Sequence, residues 1–171
     1  WAGLDIDVCK AVAAAVFGNA DAVEYKPLNA EQRFTALQSG EVDVLSRNST
    51  WTLSRDSQLG LDFVAVNYYD GQGFMVSRTL NVASAEELSG ARVCVQQGTA
   101  SAANLEDYFR VRGLNYRAVM ADSEEQARSL YEAETCDVFT ADISALAASR
   151  SLLRNPGGHV ILPDVISLVF M

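Results

Sequence analysis

Among its 171 residues the chain has one histidine, His159, and three scattered cysteines, Cys9, Cys94 and Cys136. His159 has no partner at ligand spacing and the cysteines do not form a zinc knuckle, so no metal site and no cofactor are expected. Basic residues are also scarce: 13 Lys and Arg stand against 22 Asp and Glu, a formal charge of −9, and no basic run occurs. That balance excludes nucleic acid and anionic membrane as partners. No apolar stretch reaches the length of a membrane span. Trp1-Ala-Gly-Leu-Asp5 has neither the basic start nor the apolar middle of a signal peptide, so if the protein is exported its leader is expected to have been removed.

What remains is globular material, 49% hydrophobic and 20% charged, enough for one ordinary domain or two small ones. The stretch Asn48-Ser-Thr-Trp-Thr-Leu-Ser-Arg55 stands out, because it follows the apolar run Val42-Asp-Val-Leu45 and gathers hydroxyls, an amide and a guanidinium. If that run is a buried strand, Asn48 to Thr50 fall past its carboxyl end, where open α/β sheets collect ligands. Thr52 can cap a short helix whose first turn carries Arg55. A guanidinium beside hydroxyls and backbone N–H groups suits a carboxylate, gripped by two parallel hydrogen bonds. The same eight residues also read as a solvated turn with a surface arginine.

Helices are expected at Asp5 to Val16 and at Ala30 to Gln38, the second capped by Asn29, with strands at Ala22 to Tyr25 and Val42 to Leu45. Phe63 to Tyr69 reads as extended, Asp70-Gly-Gln-Gly73 as a turn, and Phe74 to Val76 as a strand. Beyond them Ser84 caps a single turn. Strands at Ala91 to Gln96, Tyr116 to Met120, Asp137 to Thr140 and Val160 to Leu162 alternate with helices opening at Thr99, Ser123 and Ile143. This alternation implies mostly parallel sheets covered by helices. Tyr25 to Asn48 and Tyr116 to Asp142 echo one another as strand, loop, helix, strand and polar tip, with Asp43-Val-Leu-Ser-Arg-Asn48 set against Asp137-Val-Phe-Thr-Ala-Asp142. Two such lobes describe a cleft, although βα units resemble one another in general. One lobe offers Arg55, Thr50 and Asn48. The other offers Asp142 and a helix start at Thr99 to Ser101, where free N–H groups favour an anion. An arginine for a carboxylate and an aspartate for an ammonium together fit an α-amino-acid head group. Cys94 and Cys136 would meet if their strands are neighbours, as a disulfide in an oxidising compartment or as two buried thiols. Cys9 is then either a buried thiol or one whose partner lies outside the chain.

Several stretches carry a family resemblance: Gly3-Leu-Asp-Ile-Asp-Val-Cys-Lys-Ala-Val12, Glu31-Gln-Arg-Phe-Thr-Ala-Leu-Gln-Ser-Gly40, Asn48 to Arg55, Asn67-Tyr-Tyr-Asp-Gly-Gln-Gly-Phe74, Val93-Cys-Val-Gln-Gln-Gly-Thr99 and Cys136-Asp-Val-Phe-Thr-Ala-Asp142. In these the chain resembles the periplasmic solute-binding proteins of ABC amino-acid transporters, and most closely the general L-amino-acid subgroup. The resemblance implies a type II periplasmic-binding-protein-like α/β fold of two lobes with parallel-rich sheets. It implies a first lobe at residues 1–76, joined by 163–171, and a second at 77–162. It further implies a periplasmic, non-enzymatic protein that delivers an L-amino acid to an ABC permease.

By resemblance Arg55 binds the α-carboxylate with Thr50 and the Thr99, Ala100 and Ser101 loop, Asp142 binds the α-ammonium, and Asn48 makes a further head-group contact. Arg33 matches an arginine that reaches the side-chain carboxylate in acidic-amino-acid binders. Cys94 and Cys136 are expected to form a disulfide that leaves Cys9 free. Family members have a strand before the position of Trp1 and continue past Met171. The first lobe is therefore expected to be incomplete, the chain a fragment, and its apolar tail Val165 to Met171 a means of forming a homo-oligomer. The alternatives are a non-binding or oligomer-forming fragment, or an enzyme like the periplasmic dehydratase that shares the scaffold.

Overall fold

The computed structural model describes all residues, 1–171, as two compact units: Trp1–Tyr68 with Phe170–Met171, and Tyr69–Val169. The first unit is built on helices α1 (Leu4–Phe17), α2 (Gln32–Gln38) and α3 (Leu53–Gln58). Asp5 and Asp7 in the first turn of α1 complement its dipole, and the left-handed Gly18 (φ 69°) ends it, donating its N–H to the Ala14 carbonyl. Asn29 Oδ1 accepts the N–H groups of Glu31 and Gln32 at 3.0 and 2.8 Å, so the expected cap of α2 is formed. Thr52 Oγ1 likewise accepts the Arg55 N–H at the start of α3.

The strands expected at Ala22 to Tyr25 and Val42 to Leu45 are not formed; both segments lie outside any strand, and residues 1–68 contain none. Their β-branched content favours extended backbone, but a strand also needs a ladder partner, and the Val42 N–H turns back to the Ala36 carbonyl. Asn48 to Thr50 therefore follow an unpaired segment rather than a strand end. A cavity of about 880 Å³, lined by Ile6, Cys9, Ala13, Val23, Tyr25 and Val42 among others, opens between these segments and α1. The far end of α1 stays in solvent, with Val16 and Phe17 both about two-thirds exposed.

The second unit holds the sheet. Its strands are β1 (Tyr69–Ser77), β2 (Arg92–Gln96), β3 (Arg117–Ala121), β4 (Val138–Asp142) and β5 (His159–Ile161), in the order β3-β2-β4-β1-β5, and β6 (Ser167–Phe170) also pairs with β1. Pairing of β2 with β3 and β4 is parallel, as the alternation of strands and helices implies, whereas β1 runs antiparallel to β4 and β5. The sheet is mixed. Helices α4 (Ala100–Val111), α5 (Glu124–Glu132) and α6 (Ile143–Ser151) complete the unit.

Side chains alternate between two cores. Phe74, Val76, Val93, Val95 and Val138 pack with Leu105, Tyr108 and Phe109 of α4. Met75, Cys94 and Phe139 pack with Ala127 and Tyr131 of α5 and Leu146 of α6. Each fully buried Phe among them contributes roughly 1.5–3 kcal/mol. Cys94 and Cys136 form a disulfide inside the second core, with Cα atoms 5.7 Å apart, and Cys9 is free.

The turn expected at Asp70 to Gly73 is instead the first half of β1. Its glycines serve close packing: a Cβ at Gly71 would lie 2.5 Å from Val165 Cγ1, and one at Gly73 3.0 Å from Ile143 Cγ1. Because β1 begins at Tyr69, the change of unit falls between residues 68 and 69 rather than at 76/77. Because β6 pairs with β1, residues 163–169 belong to the second unit and only Phe170 and Met171 return to the first. The echo between the two halves is structural only in part, since β3, α5 and β4 form a split βαβ unit whose two strands flank β2, whereas α2 is flanked by unpaired segments.

Candidate functional site

In the first unit the expected polar residues gather between α2 and α3. Arg33, 2% exposed, donates from Nη1 to the Asn48 carbonyl at 3.0 Å and to Ser49 Oγ at 3.1 Å, tying α2 to the segment before α3. Arg55 donates from Nη1 to the carbonyl of the buried Thr50 at 2.8 Å. Both guanidiniums lie within 5 Å of the Phe34 ring, Arg33 at 4.9 Å and Arg55 at 4.8 Å from its centroid. An aromatic ring stabilises each cation through its quadrupole and lets two like charges sit close together. In a chain with a net charge of −9 this is a local concentration of positive charge suited to carboxylates. Asn48 is exposed, and its Oδ1 accepts from Arg47 Nε and Nη2 at 3.2 and 3.1 Å. Arg47 donates in turn to the Leu28 carbonyl. The Asn48 side chain thus anchors a loop.

In the second unit the expected residues converge at the carboxyl ends of the parallel strands β2 and β4. The chain leaving β2 turns through Gln97 and Gly98 into Thr99, whose hydroxyl donates to the Gln96 carbonyl and accepts the Ala102 N–H, capping α4. Ala100 and Ser101 form the first turn, and Ser101 is buried. Asp142, 9% exposed, ends β4 on the α4 side of the sheet, the side shared by Thr140 and Val138. It precedes α6 without capping it; Asp70 takes that task, its carboxylate accepting the Ser144 N–H and hydroxyl. A carboxylate and a helix N-terminus side by side can bind a zwitterion, one taking the cation and the other the anion.

Three polar residues escaped the sequence reading. Ser49 is a partner of Arg33, whereas Gln72 and Thr140 join α4 to the sheet. Gln72 Nε2 donates to the Ser101 carbonyl at 2.9 Å and to Thr140 Oγ1 at 3.1 Å, its Oε1 accepts from Asn104 Nδ2 at 3.0 Å, and Thr140 Oγ1 donates to the Gly73 carbonyl. The signal was available, since Gln72 alternates with Phe74 and Val76, but the flanking glycines suggested a turn.

Two further pairs of titratable groups tie the scaffold together. Hydrogen bonds from the Arg92 guanidinium hold the Asp137 carboxyl below its ordinary range. The lone histidine, His159, meets the Tyr131 hydroxyl through Nδ1 at 2.7 Å; burial lowers its pKa and raises that of Tyr131. No group of three or more His, Cys, Asp or Glu is placed to hold a metal, and no helix is long and apolar enough to cross a membrane.

Comparison with known proteins agrees with the resemblance. The chain is 56% identical over 167 residues to the general L-amino acid-binding periplasmic protein AapJ of Rhizobium johnstonii, covering 98% of this chain and 49% of that one. It is 55% identical, with the same coverage, to the glutamate/glutamine/aspartate/asparagine-binding protein BztA of Rhodobacter capsulatus. The chain thus spans about half the length of the curated relatives it matches. Among solved structures, an ABC transporter periplasmic binding protein from Brucella ovis with glutathione bound aligns with a TM-score of 0.93 at 52% identity, over 99% of this chain and 54% of that one. An ancestral arginine-binding protein bound to arginine aligns at 0.80 and 26% identity, over 98% of this chain and 74% of that one. The family model for bacterial extracellular solute-binding proteins, family 3, matches residues 1–150, and with these relatives it establishes that the chain belongs to that family of solute-binding proteins.

Proposed function

We propose that this chain is the amino-acid-binding part of a periplasmic solute-binding protein that delivers an L-amino acid to the membrane permease of an ABC transporter. In this reading the first unit offers Arg55, with Thr50, to an α-carboxylate, and the second offers Asp142 to an α-ammonium and the N–H groups of Thr99, Ala100 and Ser101 to an anion. Arg33 favours ligands with a second carboxylate, and Asn48 supports the head-group loop through Arg47. The observation that carries the reading is that a nearly buried Asp142 ends β4 while the chain leaving the adjacent parallel strand β2 opens α4 at Thr99, so that a carboxylate and a helix start lie at the same edge of the sheet, an arrangement suited to a zwitterion. The names of the relatives, which describe binders of L-amino acids, point the same way.

Calorimetric titration with L-glutamate, L-glutamine, L-arginine and L-leucine tests it. Binding of at least one is expected, and Arg55→Ala should weaken it by about two orders of magnitude or more, as loss of one partner of a buried charge pair costs roughly 2–5 kcal/mol. Arg55→Lys should restore little, since an ammonium lacks the planar fork. Absence of binding to all four ligands, or unchanged affinity in Arg55→Ala, would refute the assignment.

A second reading, self-association through the first unit, is favoured by the cavity beside α1 and the exposed Val16 and Phe17. Light scattering at micromolar concentration tests it, and a monodisperse monomer removes it.

A further inference from the structure

The stripe of β1 that faces α4 reads Gln72, Phe74, Val76, and two of these three are ordinary core residues of the α4 cluster. Gln72 is fully buried in the same row. A buried carboxamide is expensive unless every polar atom is paired, and here each one is: both donors of Nε2 and the Oε1 acceptor are engaged. A leucine or methionine of similar volume would fill the row without that requirement.

The partners show what the amide does. Ser101 lies in the first turn of α4 and Asn104 one turn further on. Thr140 lies on β4, two residues before Asp142 and on its side of the sheet. Gln72 is itself the ladder partner of Asp142 across the β1–β4 pair. One side chain therefore links the helix start to the strand end that carries the carboxylate, by bonds whose lengths tolerate little slippage.

We infer that Gln72 is a positioning residue for ligand binding, fixing the separation between the α4 N-terminus and Asp142 so that both ends of an α-amino-acid head group are met at once. The inference rests on the function proposed above. It gives the ligand site a rigid gauge in the second unit, and preorganisation of this kind raises affinity by lowering the ordering cost of binding.

The test is titration of the chain and of Gln72→Met with L-glutamate and with glutarate, which lacks the α-ammonium. The substitution should weaken L-glutamate binding by about tenfold or more, equivalent to roughly one well-placed hydrogen bond. The ratio of L-glutamate to glutarate affinity should fall with it, a change that a merely destabilised scaffold would not produce. If Gln72→Met does not fold, as read by circular dichroism, Gln72→Asn, too short to reach the same partners, carries the same test. Binding of L-glutamate within twofold of the unsubstituted chain, an unchanged ratio, or failure of both variants to fold overturns this inference alone. Absence of amino-acid binding by the unsubstituted chain overturns the proposed function and this inference with it.

Discussion

Replacing the disulfide by the pair Cys94→Ala and Cys136→Ala should cost the second unit a large share of its stability. The bond closes a loop of 42 residues that includes α4, β3 and α5. For a loop of that length, restriction of the unfolded chain corresponds to about 4 kcal/mol at 25 °C. Loss of two buried sulfurs from a core shared with Ala127, Tyr131 and Phe139 adds in the same direction. A unit of about a hundred residues has only about 5–15 kcal/mol to begin with. Neither tryptophan lies in this unit, so amide hydrogen exchange is the better assay, read at Val93 to Val95 and Val138 to Thr140. In the regime where exchange reports the open population, these amides should exchange about a thousandfold faster in the double variant. An acceleration below about tenfold would show that the unfolded chain is already held compact by other means, and would refute the loop-entropy account. Thiol counting on the denatured, unreduced chain should find one reactive group, Cys9, and three would remove the premise.

Two further outcomes follow from the packing and the charges. Gly71→Ala should lower the Tm of the second unit, costing about 1–3 kcal/mol, because the methyl added on β1 would lie 2.5 Å from the branched side chain of Val165; an unchanged Tm would mean that the 163–169 segment yields freely. Asp137→Asn should lower stability at neutral pH and flatten its acid limb. Arg92 depresses the Asp137 pKa, so this contribution is complete above the unfolded value of about 3.9 and is lost as the pH falls through the lower folded value. Urea midpoints of the two proteins should therefore converge in acid, and a constant gap down to low pH would show that the ion pair is not the cause.

Much of the second unit was legible because its signals are local. Ser123 before a Glu-Glu-Gln turn, Thr99 at the opening of α4 and the short apolar runs of β2 and β4 each specify their element within a few residues. The first unit was misread where the signal depended on a neighbour. Val42 to Leu45 is as apolar as β4, yet without a ladder it remains a segment without strand structure. Arg55, Thr50, Asp142 and the Thr99 loop were picked from residue chemistry; the structure joins the first two by a hydrogen bond in one unit and places the last two at the carboxyl ends of the paired parallel strands β4 and β2 in the other. Gln72 was missed because glycine has two meanings in a sequence, a turn or a place where another side chain presses on the backbone, and only packing against Val165 and Ile143 decides between them.

Tyr68 and Met171 exchange hydrogen bonds in both directions, with β1 departing on one side of that pair and β6 arriving on the other. The second unit is therefore an excursion that leaves and rejoins the chain at one place. A segment with adjoining ends can be lifted out and spliced into a surface turn of an unrelated host without stretching either partner, or its ends can be joined and new ones opened elsewhere. Residues 69–169 thus have the geometry of a transplantable cassette.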